Sequence, residues 1–128
     1  MAWVWVPAAS VFGAHARSIA RFGGAEGVRD EGLLLSALAR PENLAAYGEP
    51  DVFDLAAAYA FGIVRNHPFV DGNKRAAFLT AALFLLLNGR ELVAAEPDAT
   101  ATMLAFAAGE VGEEDFAAWL RANAPPLR

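Results

Sequence analysis

The residue types best suited to chemistry lie in one short segment, residues 65–75, with the sequence RNHPFVDGNKR. Histidine is the side chain that most readily exchanges a proton near neutral pH, so His67 is a candidate general base. Asp71 is a candidate ligand for Mg²⁺, which commonly binds one or two carboxylates together with the phosphates of a substrate. The segment therefore combines a proton acceptor with a metal-binding carboxylate.

The residues that follow Asp71 are suited to binding phosphate. Gly72 lets the backbone approach a ligand closely and tolerates a positive φ. Asn73 is a favourable helix N-cap whose amide can also donate hydrogen bonds, and the free N–H groups of a helix N-terminus attract anions. Lys74 and Arg75 add positive charge, the lysine as a point charge and the arginine as a planar fork. We therefore predict a nucleotide phosphate site at the start of a helix.

The composition of the chain strengthens the prediction of a binding site in this segment, because rare residue types are concentrated there. Lys74 is the only lysine, and His67 is one of two histidines. Arg65 adds a positive charge two residues before His67, where it either binds phosphate or interacts with the C-terminal end of a helix dipole. A simple helix cap requires Asn73 and at most Asp71. His67, Lys74 and Arg75 are not needed for a cap and therefore favour a binding site, a hypothesis that rests on the motif.

Glycine and proline divide the chain into mostly helical pieces. Apolar spacing and cap residues predict helices over residues 7–22, 30–40 (ending before Pro41), 52–65, 73–88, 97–108 and 113–123. Residues 3–6 are rich in β-branched and aromatic side chains and predict a short strand, and residues 90–93 are a second candidate. The pattern indicates an all-α fold with at most short β segments.

The helix predicted over residues 73–88 differs from the others because its side chains leave almost no polar face. A helix that is apolar all round is buried on all sides. We therefore expect this helix to be the central one of a compact bundle. The residues at its N-terminus would then be held rigidly.

Composition and charge limit the class of protein. The 128 residues fit a single domain over residues 1–128, and 56% hydrophobic residues are enough for a core. A net charge of −5 does not suit binding along a phosphate backbone, so no direct nucleic-acid partner is expected. The chain has no cysteine, which excludes disulfides and thiolate metal sites and fits a reducing cytoplasm.

The sequence contains no segment that we expect to direct export or cross a membrane. The apolar N-terminus is short, lacks a basic region and runs into Pro7. The longest apolar run, residues 76–87, falls short of the roughly 20 residues that a bilayer requires. We expect a soluble, cytoplasmic protein without membrane partners.

Residues 67–75, HPFVDGNKR, resemble the signature loop of the Fic/Doc family, and more closely that of its Doc (death-on-curing) branch. Segments outside the loop resemble Doc-type toxins at matching places: RFGG at 21–24, RDEGLL at 29–34, ARP at 39–41 and FLLLNG at 84–89. The resemblance covers most of the chain. It implies a compact helical bundle around a central helix.

The loop departs from the adenylyltransferases of the family at two positions. Their loop reads His-x-Phe-x-Asp/Glu-Gly-Asn-Gly-Arg, with a second arginine further along the helix. Here Lys74 replaces the second glycine and Phe78 stands in place of the second arginine. Both departures resemble Doc, a kinase that phosphorylates a threonine of elongation factor Tu and so stops translation. Added charge in the phosphate cradle and loss of the second arginine would reverse the orientation of bound ATP. The γ-phosphoryl group, rather than the AMP group, would then face the acceptor hydroxyl.

The resemblance also implies residue roles. His67 would take the proton of the acceptor hydroxyl and Asp71 would bind Mg²⁺. The phosphates of ATP would be held by Gly72, Asn73, Lys74, Arg75 and Arg65. Lys74 and Arg75 would also contribute to catalysis.

The implied protein is the toxin of a bacterial type II toxin–antitoxin system. It would be an ATP- and Mg²⁺-dependent serine/threonine kinase that acts on a translation factor similar to elongation factor Tu. A Phd-like antitoxin would be its partner, and the free toxin would be a monomer. Two alternatives remain open, a Fic-type protein adenylyltransferase and a catalytically inactive binding module.

Two further features are interpreted structurally or left as a hypothesis. His15 is expected to be a packed helix histidine, because no cysteine or second clustered histidine accompanies it. Three consecutive leucines, Leu33–Leu35, cannot all face one side of a helix, so one is expected on an exposed apolar patch. In Doc-type systems the antitoxin folds onto the toxin, which makes this patch a candidate contact.

Overall fold

The structure, a computed structural model, describes residues 2–127 of the chain. Within this range it contains six helices: α1 (Ala8–Phe22), α2 (Glu31–Tyr47), α3 (Val52–Asn66), α4 (Asn73–Leu87), α5 (Glu96–Ala107) and α6 (Glu113–Asn123). The β pairing in these residues consists of two isolated bridges, Val28–Phe69 and Arg90–Pro126. The predicted all-α fold is confirmed. None of the described helices combines the length and apolar character needed to cross a bilayer.

The six helices begin within one residue of the predicted starts, and an aspartate caps the first turn of two of them, α2 and α3. At the start of α3 the Asp51 carboxylate accepts a hydrogen bond from Asp54 N at 2.8 Å, and the Asp54 carboxylate accepts one from Asp51 N at 3.0 Å. This reciprocal capping box satisfies two backbone donors. At the start of α2 the Asp30 carboxylate accepts from Leu33 N at 3.0 Å.

The predicted end of the second helix at Arg40 is wrong, because α2 continues through Pro41 to Tyr47. A proline inside a helix removes a hydrogen bond and crowds the preceding turn, at a cost of about 3 kcal/mol or more. Pro41 is fully buried, and Ala45 packs against the core one turn later. Burial of the Pro41 ring itself, together with the contact of Ala45, offsets the local cost of continuing the helix.

The central helix of the bundle is α3, whereas the sequence pattern predicts α4 in that place. Ten of the 15 residues of α3 are buried, against seven of the 15 in α4, and α3 packs against α2, α4 and α6. Leu79, Leu86 and Leu87 of α4 are exposed. Small residues let the neighbouring helices approach α3 closely, since a Cβ added at Gly62 would lie 3.0 Å from Ala37 Cα in α2. Side-chain size therefore decided which apolar helix became central.

Neither of the two predicted strands forms in the described part of the chain. Residues 3–6 have no regular secondary structure and lie beside α4, where Val4 N donates to Asn88 Oδ1 at 2.9 Å and the Trp5 ring stacks on Phe84. Arg90 contributes only an isolated bridge. The partly buried rings of Trp3 and Trp5 pack against Phe84 of α4 instead of pairing in a sheet.

Candidate functional site

Asn73 holds the loop between α3 and α4, residues 67–72, from the inside. Its Oδ1 accepts a hydrogen bond from Phe69 N at 3.0 Å, and its Nδ2 donates to Phe69 O at 3.0 Å. The N-cap of α4 is Gly72, with φ 74° and ψ 22°, a left-handed conformation that glycine adopts readily. The predicted N-cap role of the Asn73 side chain is wrong, because its amide is used on Phe69 while its backbone starts the helix.

Phe69 is the apolar anchor of this loop and packs against α1. The ring is buried and stacks on the buried imidazole of His15, with centroids 3.8 Å apart and planes within 9°. His15 Nε2 donates a hydrogen bond to the backbone carbonyl of Asp71 at 2.7 Å. The inward orientation of Phe69 and the packed state of His15 are confirmed. The contact between His15 and the loop was not predicted, because it depends on how α1 docks.

The Asp71 carboxylate lies exposed beside the loop that follows α1. Its Oδ2 accepts from Ala25 N at 3.2 Å and its Oδ1 from Gly72 N at 2.8 Å. These two hydrogen bonds hold the pKa of the Asp71 carboxyl below its ordinary value, and the charge of Arg75 lowers it further. Gly24 leaves room for the carboxylate, because a Cβ there would lie 2.8 Å from Asp71 Oδ2.

This carboxylate fits a site for Mg²⁺ that is shared with a substrate. An ionised carboxylate has about four acceptor positions, and only one hydrogen bond to each oxygen is used here. Among residues 2–127, no group of three or more histidine, cysteine or acidic side chains is placed to hold a metal by itself. The donor set therefore suits a metal that binds one protein carboxylate and takes its other ligands from phosphate and water.

The first turn of α4 supplies positive charge next to Asp71. No side chain in the described residues caps this turn, so its backbone N–H groups remain available to an anion. Lys74 is exposed, and the half-buried Arg75 donates to Gly23 O at 3.0 Å. Arg75 also lies 5.5 Å from the centroid of the Phe22 ring. The structure thus brings the helix N-terminus, Lys74, Arg75 and the Asp71 carboxylate into one exposed place.

His67 lies at the other end of the loop, as the C-cap of α3. Its φ of 47° and ψ of 56° place it in the left-handed region, and it is the one non-glycine residue with positive φ in the described chain. Residues in this region are strained and concentrate at functional sites. The residue is exposed. The loop therefore presents an imidazole at one end and a carboxylate at the other.

Arg65 is placed differently from the other predicted phosphate ligands. Its guanidinium lies 5.3 Å from the centroid of the Phe61 ring, one turn earlier in α3, and Arg40 lies 4.5 Å from the same ring. The side chain thus points back along α3, away from the loop that follows this helix. Cation–π contact with Phe61 accounts for this position.

A second segment, residues 25–30, lies along the loop and was not predicted as part of the site. Val70 N donates to Gly27 O at 3.1 Å, and Arg29 N donates to Pro68 O at 2.7 Å. The local signal for such an approach was the glycine-rich run GGAEG at 23–27, since glycine permits close backbone contacts. Its target could not be predicted, because the contacts join positions about 40 residues apart.

Comparison with known proteins identifies the family of this chain and two of its relatives. A sequence model of the Fic/DOC family matches residues 5–85, a range that contains the whole loop. The chain is 50% identical over 76 residues to "Toxin Doc" of Mycolicibacterium smegmatis, a match that covers 57% of this chain and 58% of the relative. It is 35% identical over 108 residues to "Protein kinase doc" of Escherichia phage P1, covering 84% of this chain and 85% of the relative. The chain thus spans less than two thirds of the length of the first relative and most of the second.

The family match, the similarity to two proteins named Doc and the loop geometry agree with one another. This chain belongs to the Fic/Doc family and is of the Doc type.

Proposed function

We propose that this chain is the toxin of a bacterial type II toxin–antitoxin system and an ATP- and Mg²⁺-dependent protein kinase. It transfers the γ-phosphoryl group to a serine or threonine of a translation factor similar to elongation factor Tu, and so inhibits translation in the cytoplasm. The observation that carries the proposal is the loop between His67 and Asp71, which presents a base and an ionised carboxylate beside the positive end of α4. The names of the two relatives, one a toxin and one a protein kinase, support it.

Phosphoryl transfer depends mainly on positioning and on stabilisation of charge. In this proposal the oxygen of the acceptor hydroxyl forms a bond to the γ-phosphorus while His67 accepts the hydroxyl proton. The bond between the γ-phosphorus and the oxygen that bridges it to the β-phosphate breaks, and ADP leaves. The N–H groups at the start of α4, together with Lys74 and Arg75, bind the phosphate oxygens and stabilise their negative charge. Asp71 would hold Mg²⁺, which would supply positive charge to neutralise the phosphates.

Two residues of α4 favour transfer of the γ-phosphoryl group over transfer of AMP. Lys74 is exposed on the first turn, where it adds charge and bulk to the phosphate cradle. Phe78 packs against the hydrophobic core one turn later, so this position supplies no second cation for the distal phosphates. We infer that ATP lies with its γ-phosphoryl group toward the acceptor.

Intact mass measurement of purified elongation factor Tu tests the proposal directly. The acceptor is incubated with the chain, ATP and Mg²⁺, and we expect the gain of one phosphoryl group. Asp71→Ala should abolish the gain. A gain of AMP instead would assign the chain to the adenylyltransferases of the family.

Growth on expression separates catalysis from binding. We expect growth arrest that disappears in His67→Ala, because the proposed base is removed. Arrest that persists in His67→Ala would support an inactive binding module and contradict the kinase.

The proposal includes a Phd-like antitoxin and a monomeric free toxin. Of the three leucines at the start of α2, Leu34 is fully buried, Leu33 is half-buried and Leu35 is 51% exposed. The prediction that one of them lies on the surface is confirmed. We propose that Leu35 forms part of the antitoxin contact, because an exposed leucine costs less once a partner covers it.

A further inference from the structure

Arg29 binds the backbone at the end of α3 with its guanidinium. Its Nε donates a hydrogen bond to His67 O at 2.7 Å, and one terminal nitrogen donates to Asn66 O at 2.8 Å. The last carbonyl groups of a helix have no partner within the helix, so they need donors from elsewhere. The planar fork of an arginine presents two N–H donors on different nitrogens to two adjacent carbonyls at the same time, a fixed geometry that the single nitrogen of a lysine does not reproduce.

His67 is in a conformation that its own sequence context disfavours. Residues with a Cβ rarely adopt the left-handed region, and His67 has φ 47° and ψ 56°. The following residue is Pro68, and a residue before proline is biased toward extended conformations. Rotation about ψ of His67 toward an extended conformation would swing its carbonyl away from Arg29. The hydrogen bond to Arg29 therefore exists only while His67 stays left-handed.

The backbone of Arg29 is itself held in place. Arg29 N and Asp30 N both donate to Pro68 O, at 2.7 and 3.0 Å. Asp30 also caps α2 through its hydrogen bond from Leu33 N. The guanidinium of Arg29 thus extends from the ordered start of α2 and connects that helix to the end of α3.

We infer that Arg29 is a positioning residue, which holds His67 in the left-handed conformation that presents its imidazole to the acceptor hydroxyl. The effect on catalysis rests on the proposed role of His67 as a base, whereas the effect on conformation does not. The phosphates are bound at the start of α4, at the opposite end of the loop. Loss of the guanidinium is therefore expected to lower kcat and to leave the KM for ATP nearly unchanged.

The test compares the full chain with Arg29→Ala and Arg29→Lys. Backbone carbon chemical shifts of His67 report its φ and ψ without any substrate. Arg29→Ala should move these shifts away from left-handed values and lower kcat by about 10- to 100-fold, with the KM for ATP changed less than about twofold. Arg29→Lys should behave similarly, because it keeps the charge but not the fork.

Addition of guanidinium ion at millimolar concentration distinguishes a role of Arg29 in positioning His67 from a role in the stability of the whole fold. We expect it to restore both the His67 shifts and kcat in Arg29→Ala, since the free ion can occupy the same two carbonyls. Arg17→Ala is the matched control, because it removes another exposed arginine, from α1, with the same change in charge. Both readouts should stay at wild-type values in this control.

Wild-type His67 shifts in Arg29→Ala would overturn the inference. A loss of kcat that guanidinium does not restore would overturn it too, by showing that Arg29 contributes stability alone. If Arg29→Ala does not fold, the His67 chemical shifts of Arg29→Lys are compared with those of the wild type instead. Wild-type shifts in Arg29→Lys would then overturn the inference. If the wild-type chain transfers no phosphoryl group, the proposed function fails, while the shift comparison still decides the role of Arg29.

Discussion

The imidazole of His15 in α1 donates a hydrogen bond from Nε2 to the backbone carbonyl of Asp71, at 2.7 Å, across 56 positions of the chain. The same ring stacks on Phe69, so one buried side chain contacts both the apolar anchor of the loop and the residue that carries its carboxylate. The orientation of the Asp71–Gly72 peptide therefore depends on the docking of α1. Substitutions in α1 and in the glycine-rich run after it should thus affect the site from outside the loop.

His15→Phe is expected to keep the stack on Phe69 and to remove the hydrogen bond to Asp71 O. One lost hydrogen bond should lower the free energy of unfolding by about 1 kcal/mol. It should also raise the Mg²⁺ concentration needed for half-maximal phosphoryl transfer, because the Asp71 carboxylate is less well oriented. Urea unfolding and a Mg²⁺ titration measure the two effects. An unchanged Mg²⁺ requirement would show that the hydrogen bond does not orient the carboxylate.

Gly24→Ala and Gly23→Ala compare two added methyl groups, of which only the one at position 24 would contact Asp71. Both glycines have positive φ, 85° at Gly23 and 120° at Gly24, so alanine should cost each variant backbone strain of roughly 1–3 kcal/mol. An added Cβ at Gly24 would lie 2.8 Å from Asp71 Oδ2 and 3.0 Å from the end of the Ile19 side chain, whereas at Gly23 it would meet nothing within 4 Å.

We therefore expect Gly24→Ala to lose most of its Mg²⁺-dependent phosphoryl transfer and Gly23→Ala to retain it. The rates are to be compared at equal fractions of folded protein, measured by circular dichroism. Equal activity in the two variants would contradict the assigned position of the carboxylate.

Asp51 is expected to make stability depend on pH in the acid range. Partial burial acts to raise the pKa of the Asp51 carboxyl, but hydrogen bonds from Asp54 N and from the Arg121 guanidinium, with the charge of Arg121, bring it below its ordinary value of 3.8. A group with a lowered folded-state pKa stabilises the fold above its unfolded-state pKa. This contribution is lost as the pH falls through the folded-state pKa.

Asp51→Asn keeps a capping oxygen and removes the charge. Its free energy of unfolding should be lower than that of the wild type by at most about 1 kcal/mol at neutral pH, since the ion pair with Arg121 is partly exposed to solvent. The difference should shrink as the pH is lowered below about 4, in urea unfolding curves measured at several pH values. A difference that stays constant with pH would assign the effect to packing.

Leu35→Ser is expected to weaken binding of the cognate antitoxin by about tenfold, or about 1.4 kcal/mol. The physical reason is the loss of an exposed apolar side chain that the partner would bury. Leu104→Ser in α5 is the control, because Leu104 is exposed to a similar degree, 54% against 51%. Isothermal titration calorimetry measures both affinities, and equal affinity of Leu35→Ser and the wild type would exclude this surface as a contact.

The sequence by itself determined the features that depend on neighbours within about one helical turn. The capping residues Asp30 and Asp51, the composition of the loop from His67 to Arg75, and the all-α pattern all follow from such local rules. For the same reason the residue types that could serve as base, metal ligand and phosphate cradle were recognisable before the fold was known.

Only the tertiary structure decided what depends on the packing of distant segments. α2 continues through Pro41, which is itself fully buried, and small residues such as Gly62 made α3 rather than α4 the central helix. The contacts of His15 with Asp71 and of Arg29 with His67 join residues 56 and 38 positions apart. No local rule specifies such pairs, because they form only when the apolar faces of α1, α2 and α3 have docked and have set the distances between the loops.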